Sequence, residues 1–291
     1  MLKDTLSVNE LITMSKQKFS GGYFFKGESH PFYEAVCVLK GRVGITAGKR
    51  VYVLTPGQMM LHRPGEIHAI WEEGASKPES VIFSFSAAPF PNFKGCVYEI
   101  SSKLMKEIKE IYDEANRVFD IRNFPEASHE RFYGGNGKTM LSDGIIVSGI
   151  KEGMDAAACR FGKRLEIFLL NAIEAISEEA PEYVGKGSEN YTRILSVMED
   201  NIEKNLNATA LAKLCGMSVP TLEKTVFRYL HSGAMAYYNV LRMGKAFSML
   251  TSGKSVKETA FTLGYANQNY FSACFKKRYG FPPSDVKKRT I

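Results

Sequence analysis

One pattern constrains the fold of this chain more than any other: a capping residue, a short helix, a glycine, a second cap and a longer helix, occurring twice. Asn207 precedes ATALAKLC, Gly216 follows, and Ser218 opens a run from Val219 to about Leu230. Ser255 precedes VKETAFTL, Gly264 follows, and Asn267 opens a run from Gln268 to about Tyr279, so the caps recur 48 and 49 residues later. Asn and Ser side chains accept from the free N–H groups of a helix start, and glycine takes the left-handed backbone of a tight turn. Leu211, Ala212 and Leu214 are expected to face inward, and the small Ala212 and Ala260 let paired helices approach closely. Tyr270, Phe271 and Phe275 read as the buried stripe of the last helix. Between the pairs, residues 234–253 predict a connecting helix with Tyr237, Leu241 and Leu250 among its apolar positions. Such a spacer would present both longer helices to successive major-groove segments, roughly 34 Å apart.

Charge points the same way. The chain carries a net +7, and from Glu189 onward 15 Lys and Arg face 7 Asp and Glu, a balance of +8. The remainder nets −1, so the excess cations belong to the segment with the paired helices, as in a polyanion-binding module attached to a neutral one.

From about Tyr191 to the C-terminus the chain resembles the AraC/XylS family of bacterial transcription regulators. The second pair carries the likeness: SVKETAFTLGYANQNYFSACFKKRYGFPPSDVKK follows the family pattern end to end, with Arg242 and Ala246 at the spacing of its connecting helix. The first pair departs from it, with Val226 where Phe is usual and His231 where Gly is usual; Lys287 stands where Arg is usual. The resemblance implies two helix-turn-helix units. It directs Gln268, Asn269, Ser272 and Ala273 of one helix, and Val219, Pro220, Thr221 and Lys224 of the other, toward bases. Amides bond bidentately to adenine, a contact worth about 1–3 kcal/mol in discrimination. Val219, Pro220 and Thr221 offer few hydrogen bonds, so the first helix is expected to meet phosphates and thymine methyls while the second reads sequence. Arg228, Lys276, Lys277 and Arg278 are the expected phosphate contacts, Asn267 a cap, and His231 a helix-end residue.

Ahead of this module, residues from about 20 to 90 read as all-β. Short apolar runs (YFF, AVCVL, RVGIT, VYVL, MML, SVIFSF) are separated by Gly and Pro turns, the rhythm of a sandwich or barrel. Residues 101–179 turn helical. Leu104, Ile108, Ile111, Ala115 and Val118 form a heptad-like stripe expected to seat a partner helix, and Phe161, Leu165, Phe168, Ala172 and Ile176 form a second. A glycine-rich loop, RFYGGNGKTMLSDG, lies between them, and SEEAPEYVGKGSEN has the composition of a linker. The expected layout is an α+β multidomain chain: a cupin-like effector-binding β-barrel (1–95), a helical dimerisation region (96–180), a linker (181–190) and an all-α DNA-binding domain with two helix-turn-helix units (191–291).

The barrel segment is similar to the two sequence motifs of the cupin fold, through Gly22, Glu28, His30, Glu34 and Gly41, and then Gly57, Gly65 and His68. Metal-binding cupins have His where Glu28 stands, so Glu28, His30, Glu34 and His68 are candidate ligands for a divalent ion. The leading expectation is a metal-free pocket for a small organic effector, with Phe24, Met60, His62 and Trp71 beside those four residues. An indole face next to polar groups suits a sugar. A metal-dependent cupin enzyme or metal sensor fused to a DNA-binding domain is the competing reading. The N-terminus lacks an apolar leader, no run is long enough to span a membrane, and the five scattered cysteines have no C-x-x-C spacing. A cytoplasmic, homodimeric, non-enzymatic regulator with reduced thiols is expected.

Overall fold

The computed structural model describes residues 6–19, 23–28, 30, 32–74, 76–90, 97–122, 146–174 and 188–286. The chain divides into two compact units, one built mainly from residues before 184 and the other mainly from residues after it.

In the first unit the strands are β1 (Val8–Lys18), β2 (Phe24–Glu28), β3 (Tyr33–Lys40), β4 (Val43–Ala47), β5 (Arg50–Leu54), β6 (Gln58–His62), β7 (His68–Glu72), β8 (Glu79–Ala87) and β9 (Val97–Glu99). There follow α1 (Ser102–Val118), β10 (Phe119–Arg122), β11 (Ile146–Ile150) and α2 (Asp155–Glu174). They form a seven-stranded sheet in the order β10-β11-β1-β8-β3-β6-β9 and a four-stranded sheet in the order β2-β7-β4-β5. Side chains alternate along a strand, so each strand of the larger sheet serves two layers. Val36, Val38, Met60 and Ile82 face the smaller sheet and bury against Val43, Ile45, Tyr52, Leu54 and Ile70. Ala35, Cys37, Leu61, Val81, Phe83 and Phe85 face the other way and are covered by α1 and α2. The unit is therefore three layers deep: helices, sheet, sheet.

Three expectations change here. The β region extends on both sides of residues 20–90: β1, the longest strand, precedes it, and β9, β10 and β11 lie in the segment expected to be helical. The stripe of Leu104, Ile108, Ile111, Ala115 and Val118 does not face a partner. It is buried against this chain's own sheet and against Phe161, Leu165, Phe168 and Ala172 of α2. A sheet with two apolar faces must have one of them covered, and α1 and α2 do so. The glycine-rich loop, Ile176 and most of the expected linker lie outside the described residues; the last three linker positions, Ser188, Glu189 and Asn190, are corrected, because they open a helix.

The second unit is helical: α3 (Ser188–Asp200), α4 (Ala208–Leu214), α5 (Val219–Leu230), α6 (Ala234–Thr251), α7 (Val256–Thr262) and α8 (Gln268–Tyr279). The expected caps are in place, with Asn207, Ser218 and Ser255 each accepting from a backbone N–H three residues on. Ser255 and Glu258 also form a reciprocal capping box. Gly216 and Gly264 turn the chain at φ 63° and 71°. Gly264 has a second reason to be glycine, because a Cβ there would lie 2.6 Å from the Glu203 carbonyl. Ala212 and Ala260 are buried as expected, as are Tyr237, Leu241 and Leu250 of α6. Leu214 is not: it stands 49% exposed, and Cys215 takes the inward place. Two residues beyond Ala212 is a rotation of about 200°, which carries Leu214 to the opposite side of the helix.

Candidate functional site

Each longer helix buries one side and offers the other to solvent. On α5 the inward side is Leu222, Val226, Tyr229 and Leu230, and Pro220, Thr221, Lys224 and Arg228 are exposed with Val219 half-buried. On α8 the inward side is only Phe271 and Phe275; Gln268, Asn269, Ala273, Lys276 and Lys277 are exposed, with Ser272 and Arg278 half-buried. Every expected base- or phosphate-facing residue is thus at or near the surface of its helix. The expectation for Tyr270 is corrected, because it is 65% exposed. Phe271 and Phe275, four residues apart, set the inward direction, and Tyr270 falls about 100° away from Phe271.

The helix ends confirm local chemistry. Asn267 Oδ1 accepts from the backbone N–H groups of Asn269 at 2.7 Å and Tyr270 at 3.4 Å, so its amide is occupied by the cap, while those of Gln268 and Asn269 lie outside it. The Thr221 hydroxyl is bonded to Ser218 Oγ at 2.9 Å. Glu223, not singled out by sequence, accepts from the Ala234 N–H at 2.9 Å and so starts α6. His231 ends α5 in the left-handed region at φ 47°, where α8 ends on Gly280 at φ 78°.

In the first unit, alternation decides which candidates meet. Glu34 on β3, Met60 and His62 on β6, and His68 on β7 all point between the two sheets and are buried. Glu34 sits between His30 Nε2 at 3.5 Å and His68 Nε2 at 3.4 Å. Its Oε2 also accepts from Ser84 Oγ at 3.0 Å, and Ser84 Oγ accepts from Thr13 Oγ1 at 2.8 Å. Ser84 was not among the sequence candidates, yet it was readable: in SVIFSF, Ser80, Ile82 and Ser84 alternate with Val81, Phe83 and Phe85. His62 stacks on His68 with centroids 4.1 Å apart and bonds to Glu66 Oε2 at 3.1 Å. Burial, reinforced by the neighbouring His68, lowers the His62 pKa to about 4. Burial acts to raise the Glu34 carboxyl, but the hydrogen bonds and charge of His30 and His68 outweigh it and hold the group well below the usual carboxylate range.

Two candidates leave the site. Trp71 is three residues from His68 on the same strand and so lies on the opposite face, its Nε1–H donating to Glu73 at 2.8 Å. Its ring lies over Gly44, where a Cβ would come within 2.0 Å of it. Phe24 is 41% exposed, and its neighbours Tyr23 and Phe25 pack toward the inner core instead. The Glu28 side chain lies outside the described residues.

The histidine geometry fixes their tautomers. His30 Nδ1 lies 3.0 Å from the Phe32 carbonyl and His68 Nδ1 3.0 Å from the Glu66 carbonyl. A carbonyl only accepts, so both Nδ1 atoms carry hydrogen, and in a neutral ring Nε2 then presents a lone pair to Glu34. Lone pairs facing a carboxylate require positive charge between them, either protons on the imidazoles or a cation. The three ligand atoms lie within 4.8 Å of one another. Bonds of about 2.0–2.1 Å to one ion would separate neighbouring ligand atoms by about 3.4 Å, which the two His–Glu34 distances match, so His30, Glu34 and His68 are the residues that would hold a divalent ion.

The two regions match known families separately. Residues 17–88 match the AraC-like ligand binding domain and residues 211–289 a helix-turn-helix domain. The chain is 29% identical over 106 residues to the HTH-type transcriptional regulator GbdR of Pseudomonas aeruginosa, covering 36% of this chain and 29% of that protein. It is 27% identical over 172 residues to the HTH-type transcriptional regulator GlxA of Rhizobium meliloti, covering 56% and 52%. Over 108 residues it is 28% identical to the HTH-type transcriptional activator RhaS of Escherichia fergusonii, covering 35% and 39%. The chain spans at most about half the length of these relatives. A solved AraC-type transcriptional regulator from Chromobacterium violaceum is 27% identical, covering 36% of this chain and 96% of that one with a TM-score of 0.34. A region similar to the AraC-like ligand binding domain thus precedes one similar to a helix-turn-helix domain, and these relatives are regulators of the HTH type.

Proposed function

We propose that the chain is a bacterial, cytoplasmic transcription regulator rather than an enzyme. In this reading α4–α5 and α7–α8 are two helix-turn-helix units that bind promoter DNA, and the paired sheets are a cupin-like barrel that binds a small effector. The observation that carries it is the outer surface of α8, where exposed amides at the N-terminal end lead into Lys276 and Lys277. Amides read base edges and cations neutralise phosphates. Genomic fragments retained by the purified protein would supply the operator. Replacing Gln268 and Asn269 with Ala should relax sequence preference, whereas replacing Lys276 and Lys277 should weaken binding to all duplexes and flatten its salt dependence. Parent-like operator binding by both double variants would reject this role for α8.

The effector we propose is a small polar molecule recognised by Glu34 and its imidazoles. A carbohydrate remains a member of that class, now without the support of Trp71. A divalent cation is a second reading, favoured by the tautomers of His30 and His68: these two residues and Glu34 would hold it, and a bound ion would supply the positive charge they face. Metal analysis of the purified protein, and of the His30→Ala and His68→Ala variants, separates the two. A homodimer is also proposed, but its seam must lie elsewhere than the buried stripe of α1. Ile167 on α2, 56% exposed beside Arg160 and Lys163, is the surface to test by sedimentation of an Ile167→Glu variant. A parent that sediments as a monomer would reject the dimer.

A further inference from the structure

We propose that Tyr270 is a phosphate-anchoring residue of the DNA interface, its phenol hydroxyl donating to the backbone strand beside the bases that Gln268 and Asn269 meet. The inference rests on the reading of α8 as the helix that enters the groove. Three observations carry it. First, a large aromatic is held out in solvent at the start of that helix, although the helix has a buried aromatic stripe next to it. Second, the ring is propped rather than loose. Its centroid lies 6.1 Å from that of Tyr265, and Tyr265 is itself buried beneath the Arg242 guanidinium at 4.4 Å. Third, seven residues separate Tyr270 from Lys277, close to two helical turns, so the two side chains stand on the same flank of α8. Asn269, Ala273 and Lys276 form the adjacent row. A helix lying in the major groove with that row toward the base edges turns one flank toward a phosphate strand. Tyr270 is on the flank that already carries a phosphate-neutralising lysine.

The first unit has no equivalent group. Thr221 occupies the corresponding place in α5, and its hydroxyl is already bonded to Ser218 Oγ. Tyr270 thus adds to the second unit an anchoring donor that the first lacks.

A tyrosine anchor has a signature that a lysine anchor does not. A neutral phenol releases no counterion, so losing it lowers affinity without changing the salt slope, whereas losing one lysine contact lowers the slope by about 0.9. The test uses the full chain, a genomic duplex retained by the parent, and a scrambled duplex of equal length, with affinities read by fluorescence anisotropy across a salt series. Tyr270→Phe removes only the exposed hydroxyl, and unchanged melting will show that the fold is intact. It should weaken binding to both duplexes about tenfold, the effect of one hydrogen bond to a charged group, with the slope unaltered. Lys277→Ala should lower the slope. Parent-like binding by Tyr270→Phe overturns the proposal, as does a loss confined to the genomic duplex, which would make the phenol a base reader. A parent that retains no genomic duplex in the initial selection overturns the DNA-binding reading itself, a result distinct from either.

Discussion

His231 carries more backbone strain than its counterpart in the second unit. It holds φ 47° at the end of α5, a conformation that disfavours a Cβ, whereas Gly280 closes α8 at φ 78° without that penalty. His231→Gly should therefore raise stability by about 1 kcal/mol at neutral pH, measured by chemical denaturation. The gain should grow as the pH falls. Burial lowers the His231 pKa to about 4, so between about 6.5 and 4 the unfolded chain takes up a proton that the folded chain refuses. Stability of the parent drops through that window, and the glycine variant escapes this part of the loss; an equal gain at pH 7 and pH 5 would contradict the assignment. Gly44 tests the opposite kind of constraint. Its position faces Trp71 across the β4–β7 pair, and a methyl group there would lie inside the indole ring. Gly44→Ala should cost about 1–3 kcal/mol, and since Trp71 is the sole tryptophan, its fluorescence will report the displaced ring directly.

Among the elements, α6 does more than space the two pairs. Arg242 is buried on it, donates through Nη2 to the Leu263 carbonyl at the end of α7, and lies against the rings of Tyr265 and Tyr238. A single guanidinium thus satisfies a helix-end carbonyl and supports the aromatic that props Tyr270. Arg242→Met should destabilise the second unit by about 2–4 kcal/mol in chemical denaturation, and Arg242→Lys should not restore it, because a compact ammonium cannot both bond and stack. The two helix pairs were legible almost to the residue because their signals are local: Ser255 with Glu258, Asn267 before Gln268, glycine after each short helix; α3, which has no such cap among the described residues, was not, and its first turn was read as linker. The strands were legible only where short apolar runs stood between Gly and Pro turns. VNELITMSKQK carries no clear period, and it becomes β1 because β8 pairs along its length from Val8 to Lys18. The stripe on α1 was legible as a stripe, but not what covers it, since a heptad spacing fits a sheet face as well as a helix. Trp71 could have been placed correctly from its odd separation from His68. The bond from Ser84 to Glu34 could not, because it joins residues 50 apart in the chain.

At the scale of the molecule, two compact units must act as one if the sheets are to control the helices. Each has its own apolar core, with Phe83 and Phe168 in one and Phe271 and Phe275 in the other. Regulation then has to appear as a coupling free energy between a site at Glu34 and a surface on α8, and such coupling is reciprocal. A divalent cation is the probe to use first, because it can be titrated without knowing the organic effector. If the ion changes affinity for a genomic duplex by some factor, that duplex must change affinity for the ion by the same factor. His30→Ala and His68→Ala should abolish both effects while leaving ion-free DNA binding intact. An ion that binds tightly at Glu34 with no change in DNA affinity would be a structural ion, and the signal would have to be an organic ligand. Equal, non-unit factors in the two titrations would identify the histidine–carboxylate cluster as the sensor, since ion binding elsewhere would survive the two alanine substitutions.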